Sequence, residues 1–78
     1  MTWISVKDRL PEEEQRCWFY IPGEPVNEGY YDPEGVYIMF EKRYVPGFRT
    51  RQYHFEAYLE VVSHWMPFYA PEPPNEMD

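Results

Sequence analysis

Hydrophobic and polar residues alternate along much of this chain, and the alternation predicts short β-strands separated by tight turns. In the stretch RCWFYI at 16–21, an extended chain places Cys17, Phe19 and Ile21 on one face and the remaining side chains on the other. Aromatic and β-branched residues of this kind are enriched in strands. This segment therefore predicts a strand with one face buried in a core.

Proline and glycine mark the predicted turns. The sequence PGEP at 22–25 turns the chain into a returning strand, VNEGYY, in which Gly29 indicates a bulge. Residues 32–35, DPEG, have Asp, Pro and Gly at the positions that favour a type I turn, and the Pro-Gly pair at 46–47 marks a further turn. The strand predicted between them, 36–45, has on one face Val36, Ile38 and Phe40.

Two segments are less regular. Pro11 precedes three glutamates, which predicts one helical turn because proline suits the first helical position and acids suit the first turn. The segment YHFEAYLEVV at 53–62 alternates as a strand does, although Phe55, Leu59 and Val62 would also share a helical face. Alternation is the longer match and favours a strand there, with a helix as the alternative.

Together these patterns predict a mainly β fold, a small antiparallel meander of four to five strands with at most one short helix. An α+β fold is the alternative. Residues 1–70 form the predicted single globular domain. Residues 71–78 are an acidic, proline-rich tail that cannot join a central strand.

Length and composition narrow the possibilities further. A chain of 78 residues is one domain near the lower size limit for an unaided core, and its aromatic share of 21% supplies large side chains for that core. The single cysteine, Cys17, excludes an intramolecular disulfide and a cysteine-based zinc site. The first residues lack the apolar segment of a signal peptide, and no apolar run approaches the roughly 20 residues of a membrane span. We therefore expect a cytoplasmic protein with no membrane partner.

Charge is unevenly distributed along the chain, whose formal net charge is −7. Residues 1–41 carry nine acidic and three basic side chains, and 52–78 carry five acidic ones and no Lys or Arg. The segment between them, 42–51, is a basic cluster that consists of Lys42, Arg43, Arg49 and Arg51. Because duplex nucleic acid is bound by basic surfaces, direct nucleic-acid binding is disfavoured. Solubility is the plainer explanation of the acidity, and partner binding is the functional one.

Few residues are candidates for chemistry. His54, His64 and Cys17 would have to converge to hold zinc, and their spacing is not that of a metal site. Cys17 as a nucleophile would need a neighbouring base, and its place on an apolar strand face indicates an inert core residue instead. The adjacent glutamates point in different directions, and no glycine-rich phosphate loop is present. We therefore predict a protein that is not an enzyme and that has no metal and no cofactor.

The stretch VVSHWMPFYAPEPP at 61–74 places a histidine, a tryptophan and a methionine next to one another. It follows an alternating segment, so Trp65 is predicted to enter the core while His64 faces the sheet edge or solvent. The prolines after it would brace the sheet. A terminal core strand therefore explains this stretch better than a ligand site does.

Two stretches, WISVKDRLPEE at 3–13 and VSHWMP…PEPP at 62–74, resemble the two ends of the family known as domain of unknown function 551. Members typically open with a Trp-Ile-Ser-Val…Leu-Pro pattern and close with Val-Thr-His-Trp-Met-Pro-Leu-Pro-Glu-Pro-Pro, and VNEGYY resembles their middle. This chain has Ser63 where Thr is usual, and its FYAPEPP is two residues longer than the family pattern. The family is found largely in bacteriophages and prophages and has no assigned activity. The resemblance therefore implies a small phage-encoded accessory protein and transfers no catalytic residue.

The leading hypothesis joins this context to the charge. It is a non-enzymatic binding protein that stoichiometrically inhibits a host defence or DNA-handling protein. Carboxylates displayed where DNA phosphates would lie could block restriction or CRISPR machinery, as an anti-CRISPR or other DNA mimic does. The predicted contact residues, in order of preference, are Glu24, Glu28, Asp32 and Glu34, and then Glu12, Glu13 and Glu14.

The alternative is a small-ligand or nucleotide-binding module, in which an aromatic face stacks on a base and the basic cluster at 42–51 holds phosphate. It would need an aromatic-walled pocket near Arg49 and Arg51. A third possibility is a structural or regulatory phage protein without a role in defence. A mimic would be distinguished by contiguous carboxylates at phosphate-like spacing. The sequence leaves the oligomeric state open.

Overall fold

The computed structural model describes residues 2–51 and 55–69, and these form one six-stranded antiparallel sheet. The strands are β1 (Ile4–Ser5), β2 (Arg16–Tyr20), β3 (Asn27–Ile38), β4 (Arg43–Thr50), β5 (Glu56–Tyr58) and β6 (His64–Pro67). One 3-10 turn, Leu59–Val61, follows β5, and the described residues contain no α-helix. The predicted mainly β fold is therefore confirmed. Within the same residues, no helix is long and apolar enough to cross a membrane.

The strand order in the sheet is β1-β6-β2-β3-β4-β5. From β2 to β5 each strand pairs with the next one along the chain, as in the predicted meander. β6 departs from this order, because it returns across the sheet and lies between β1 and β2. The sheet has six strands and not the predicted four to five. The additional strand is the short β1, which pairs only with β6 and is far from it in the sequence.

The core lies on one face of the sheet and is mostly aromatic. Phe19 stacks on Phe48 with ring centroids 5.0 Å apart, and Tyr31 packs against Phe48 at 5.3 Å. The other buried members of the cluster are Cys17, Ala57, Val62 and Trp65. The predicted inner face of β2 is confirmed, since Cys17 and Phe19 are fully buried and Ile21 packs against the cluster.

Trp65 is central to this core, with 2% of its surface exposed. It is paired with Phe19 of β2 and Ile4 of β1, and its indole N–H donates a hydrogen bond of 2.8 Å to the Arg9 carbonyl oxygen. The Arg9 guanidinium lies 5.5 Å from the centre of the indole ring. The prediction that Trp65 enters the core is confirmed, whereas the brace and tail predicted for 71–78 lie outside the described residues.

The DPEG segment is a bulge within β3 and not a turn between strands, so this prediction was wrong. The ladder with β4 shifts register between Asp32 and Val36. The Asp32 carboxylate accepts a hydrogen bond of 3.0 Å from the Glu34 backbone N–H, which stabilises the extra residues locally. The chain turns instead at 39–42, and Phe40 is fully exposed there rather than on a strand face.

The turn predicted at Pro46 and Gly47 was also wrong, because both residues lie within β4. Pro46 is opposite the bulge in β3, between two pairs of the ladder. Proline has no backbone N–H to donate, and at this position no paired residue requires one. Gly47 permits close packing, since a Cβ there would lie 2.5 Å from the Ala57 carbonyl oxygen.

Two further predictions were wrong. Gly29 lies in a regular ladder between Cys17 and Thr50, and the bulge comes three residues later in β3. The glutamates after Pro11 form a turn without a helix, in which Glu14 has a left-handed backbone conformation with φ of 61°.

The ambiguous segment 53–62 combines two structures in its described part. Glu56–Tyr58 is the predicted strand, and Leu59–Val61 is the 3-10 turn that follows. Residues 53–54, and His54 with them, lie outside the described residues. The strand prediction is therefore confirmed for the centre of the segment and wrong for its end.

Candidate functional site

The face of the sheet opposite the core, here called the second face, carries the polar and partly exposed side chains. Residues paired across an antiparallel ladder share a face, and the ladders therefore define this set. Its members are Ser5, Arg16, Trp18, Tyr20, Glu28, Tyr30, Asp32, Gly47, Arg49, Glu56, Tyr58, His64 and Met66. The core face is filled by the cluster around Trp65, so the second face, the turns and the loops are available for binding.

Ion pairs on the second face hold two of the preferred contact residues. Glu28 pairs with the Arg16 guanidinium. Arg49 lies 3.5 Å from Asp32 and 2.5 Å from Glu56, and it also donates a hydrogen bond to a carbonyl oxygen of the bulge. Glu28 therefore has a cationic partner of its own, whereas Asp32 shares the single charge of Arg49 with Glu56.

The other two preferred residues are exposed but far apart. Glu24 lies in the turn between β2 and β3, and Glu34 lies in the bulge of β3. The intervening part of β3 carries the chain about 20 Å from one to the other, at the usual rise of an extended strand. The structure therefore does not bring Glu24, Glu28, Asp32 and Glu34 together as one contiguous acidic surface.

The turn that carries the second set of predicted residues contacts β3 three residues before Glu34, which is about 10 Å along an extended strand. The backbone N–H of Glu14 donates a hydrogen bond of 2.7 Å to the Tyr31 carbonyl oxygen, three residues before Glu34 along β3. The turn is closed by Gln15, whose side-chain oxygen accepts a bond of 2.9 Å from the Glu12 N–H. The exposed carboxylates at this place form what we call the acidic rim: Glu12, Glu13, Glu14 and Glu34.

The basic cluster at 42–51 does not form one phosphate-binding site. Arg43 lies 2.6 Å from the Glu41 carboxylate, and Arg49 has the partners described above. Lys42 and Arg51 lie near opposite ends of β4, which separates them by about 25 Å at the rise of a strand. Arg51 lines a shallow pocket together with Tyr30, whereas Lys42 lies in the turn between β3 and β4.

An aromatic cleft on the second face was not predicted from the sequence. Trp3 and Tyr20 have ring centroids 6.2 Å apart, and with Val26 and His64 they line a mostly apolar cavity of about 280 Å³. His64 is half-buried, and its Nδ1 lies 2.8 Å from the Ser63 hydroxyl. These four residues come from β1, β2, β3 and β6 or the positions beside them. The pairing of β1 with β6 brings Trp3 and His64 together, and no local pattern reveals that pairing.

Cys17 and His64 are on opposite faces of the sheet, so they form no nucleophile–base pair. Burial of Cys17 removes water from the thiolate and, together with the nearby Glu28 carboxylate, raises the pKa of the thiol to about 12. Burial raises the pKa of Tyr31 in the same way, with Asp32 as a smaller cause. Among residues 2–51 and 55–69, no three His, Cys, Asp or Glu side chains are grouped as metal ligands would be.

The fold and the site thus define a small antiparallel β protein with one aromatic cleft and one acidic rim. The sequence model for the proteins of unknown function called DUF551 matches residues 2–75, nearly the whole chain, and the protein belongs to that family. Neither a curated protein nor a solved structure matches the chain. The two end motifs that carry the resemblance include β1 and β6, which pair directly through Ile4 with Trp65 and Ser5 with His64.

Proposed function

We propose that the protein acts without catalysis, as a stoichiometric inhibitor that binds one protein partner through the acidic rim. The observation that carries the proposal is the hydrogen bond between the Glu14 N–H and the Tyr31 carbonyl oxygen. It fixes the turn at 12–14 against β3, three residues before Glu34 in the bulge. The turn and the bulge are therefore neighbours in the fold, and one partner surface can contact both.

Charge balance supports the rim as the contact. Three arginines pair with four carboxylates elsewhere on the described surface, and the rim holds four of the seven described carboxylates that lie outside these ion pairs. A concentrated negative field attracts a basic surface and raises the rate of encounter, and salt screens this attraction. The partner is therefore expected to present a basic groove of the kind that binds nucleic acid.

The class of partner comes from the context of the family. The resemblance described above implies a bacteriophage or prophage setting, in which small acidic proteins without catalytic residues often work by occupying a host protein. We therefore propose a defence or DNA-handling protein of the host cytoplasm as the partner, as in anti-CRISPR or anti-restriction inhibition. The rim would occupy part of the path of the DNA backbone.

The alternative function, nucleotide binding, has one supporting observation. Tyr30 and Arg51 line the same shallow pocket, so a base and a phosphate could each find a partner there. Glu14 lines this pocket as well and would repel a phosphate. Calorimetric titration with ATP tests this alternative, which requires saturable binding that is lost in Arg51→Ala.

The experiment for the proposed function compares two variants with the same change in net charge. One carries Glu13→Gln and Glu34→Gln in the acidic rim. The matched control carries Asp8→Asn and Glu60→Gln, two exposed carboxylates outside the rim. Tagged wild type captures partners from host lysate at low and high salt, and a captured protein is identified, purified and titrated with all three chains.

We expect the rim variant to bind the purified partner about tenfold more weakly at low salt, whereas the control binds as the wild type does. Duplex DNA should compete with the wild-type chain for the partner. Equal affinity of the rim variant and the control would refute the rim as the contact. A partner with no affinity for nucleic acid would refute the proposed mode of inhibition.

A further inference from the structure

The hairpin at 36–45 extends beyond the ladders that β2 and β5 form with β3 and β4, and we call it the arm. Its inner end is buried, since Val36 is 2% and Val45 7% exposed, whereas its turn is open to solvent. Pairing of β2 with β3 ends at Tyr30, and pairing of β5 with β4 is confined to 47–49. In the arm, β3 and β4 therefore pair only with each other among the described strands. Tyr37 and Tyr44 face one another across the arm with ring centroids 5.0 Å apart.

The turn at the end of the arm, residues 39–42, exposes large apolar side chains. Met39 is 79% exposed and Phe40 is fully exposed, and no described residue covers them. Lys42 adds a positive charge next to them, whereas the charge of Arg43 is balanced by Glu41. Adjacent apolar side chains displayed in this way mark a surface that is covered in an assembly.

The aromatic cleft has the features that complement this turn. Its walls, Trp3 and Tyr20, suit both an aromatic ring and a thioether, which are the side chains of Phe40 and Met39. Glu24 lies near its edge in the chain, between Gly23, whose backbone N–H is 3.4 Å from the Tyr20 hydroxyl, and Val26, which lines the cleft. A carboxylate at the edge of the cleft complements the charge of Lys42.

The turn of the arm cannot reach the aromatic cleft of its own chain. Val26 of the cleft precedes β3 and Met39 of the turn follows it, and a strand of twelve residues spans about 40 Å. Two chains placed side by side in opposite directions would bring each turn to the cleft of the other. Such a two-fold arrangement makes the same contact twice. It leaves neither an arm nor a cleft free, so assembly stops at the dimer.

We propose that the protein forms a symmetric dimer in which the arm of each chain inserts Phe40 into the aromatic cleft of the other. The attraction between Lys42 of one chain and Glu24 of the other sets the relative position of the two chains. It also favours a second copy of this chain as the partner that fills the cleft. The acidic rim contributes to neither contact. The dimer is therefore independent of the proposed inhibitory function, and either can fail without the other.

Sedimentation velocity of the purified chain over a wide range of concentrations tests the dimer. Wild type should pass from monomer to dimer as its concentration rises. Phe40→Ser should raise the dissociation constant at least about tenfold, as expected for an aromatic side chain central to an interface. Tyr69→Ser is the control, since Tyr69 is an exposed aromatic residue outside both surfaces, and it should leave association unchanged.

Charge reversal tests the register. Lys42→Glu and Glu24→Lys should each weaken the dimer, and the double variant should restore it because the pair is then re-formed with opposite signs. Restoration is a result that a merely misfolded variant cannot give. Circular dichroism of each variant checks that the sheet is retained.

Mixing tests whether the contact joins an arm to a cleft. Phe40→Ser disables the arm and Val26→Asp disables the cleft, so each variant alone should associate more weakly than wild type. Their mixture retains one intact contact and should associate more strongly than either variant does alone.

Three results would overturn the dimer. Wild type that stays monomeric at every concentration is one, and growth beyond a dimer as concentration rises is another. The third is association that neither Phe40→Ser nor Val26→Asp weakens. Wild type that is monomeric but sediments with anionic lipid vesicles, and loses this in Phe40→Ser, would assign the turn to a membrane surface instead.

Discussion

In the region around Trp65, here called the base, buried side chains from five strands meet in one core, whereas the arm at 36–45 pairs only its own two strands and is buried only at its inner end, at Val36 and Val45. Aromatic residues are abundant in both regions. At the base, Phe19 and Phe48 are fully buried, and at the end of the arm Phe40 is fully exposed. The difference lies in the neighbours that the topology supplies and not in the hydrophobicity of the residues.

The two regions also differ in how their strands are joined. The base depends on the pairing of β6 with β1 and β2, which connects the two ends of the described chain. The arm is a local hairpin, and a two-stranded hairpin alone is only marginally stable in water. We infer that the base provides the stability of the fold, while the arm is held by the base and is available for contact.

The largest expected effect is at the centre of the base. Trp65→Ala should lower the free energy of unfolding by about 3–5 kcal/mol, because it removes a large buried side chain and leaves a cavity. In a domain of this size that loss approaches the whole stability. Chemical denaturation monitored by circular dichroism measures it. A melting temperature within a few degrees of the wild-type value would show that Trp65 does not hold the base together.

The sequence predicts the base better than the arm, and the reason is physical. Alternation places Cys17 and Phe19 on the inner face of β2 and Trp65 in the core, because burial of one face imposes a period of two on each strand. The same alternation, continued to Phe40, fails because the strand ends at Ile38. Where a strand ends depends on its pairing, and local patterns do not contain that information.

The errors at the bulge have a related cause. The DPEG segment has the composition of a turn, and local propensity alone therefore ends the strand there. In the fold, pairing with β4 continues on both sides of the segment, so the extra residues are accommodated as a bulge. Pro46 and Gly47 lie in β4 opposite this bulge, and the strand accommodates them there although such residues usually mark a turn.

The candidate site was only partly predictable for the same reason. The sequence shows which residues of the site are acidic. It does not show the ion pairs of Glu28 and Asp32, because these depend on which residues the strands place opposite one another. The acidic rim requires the Glu14–Tyr31 hydrogen bond, and the aromatic cleft requires the pairing of β1 with β6. Each is a contact between segments that are distant in the sequence.

An effect of intermediate size on stability is expected at high pH. It arises in the region around Trp65, where Cys17 is buried. Folding raises the pKa of Cys17 to about 12 from its ordinary value of 9.0, which the thiol keeps in the unfolded chain. Between these two values the unfolded chain has lost a proton that the folded chain still holds. The free energy of unfolding is therefore unaffected by Cys17 below its ordinary pKa and falls as pH rises above it, by at most about 1.4 kcal/mol per pH unit.

Denaturation of wild type and Cys17→Ala at several alkaline pH values measures this contribution. The variant lacks the thiol, so its stability should fall less steeply between about pH 9 and 10, although it starts lower because a small cavity is formed. The raised pKa of Tyr31 acts in the same direction in both chains and cancels in the comparison. Parallel curves for the two chains would mean that Cys17 reaches water in the folded state.

The smallest effect on stability is expected at the end of the arm. Phe40 is fully exposed, so Phe40→Ser removes no buried surface from the monomer and should change the free energy of unfolding by less than about 0.5 kcal/mol. Denaturation must be measured at low protein concentration, where association contributes nothing. A loss above about 1 kcal/mol would show that Phe40 packs within its own chain, and the contrast between a stabilising base and an arm available for contact would then fail. A small loss in stability combined with a large loss of association would place the role of Phe40 between chains.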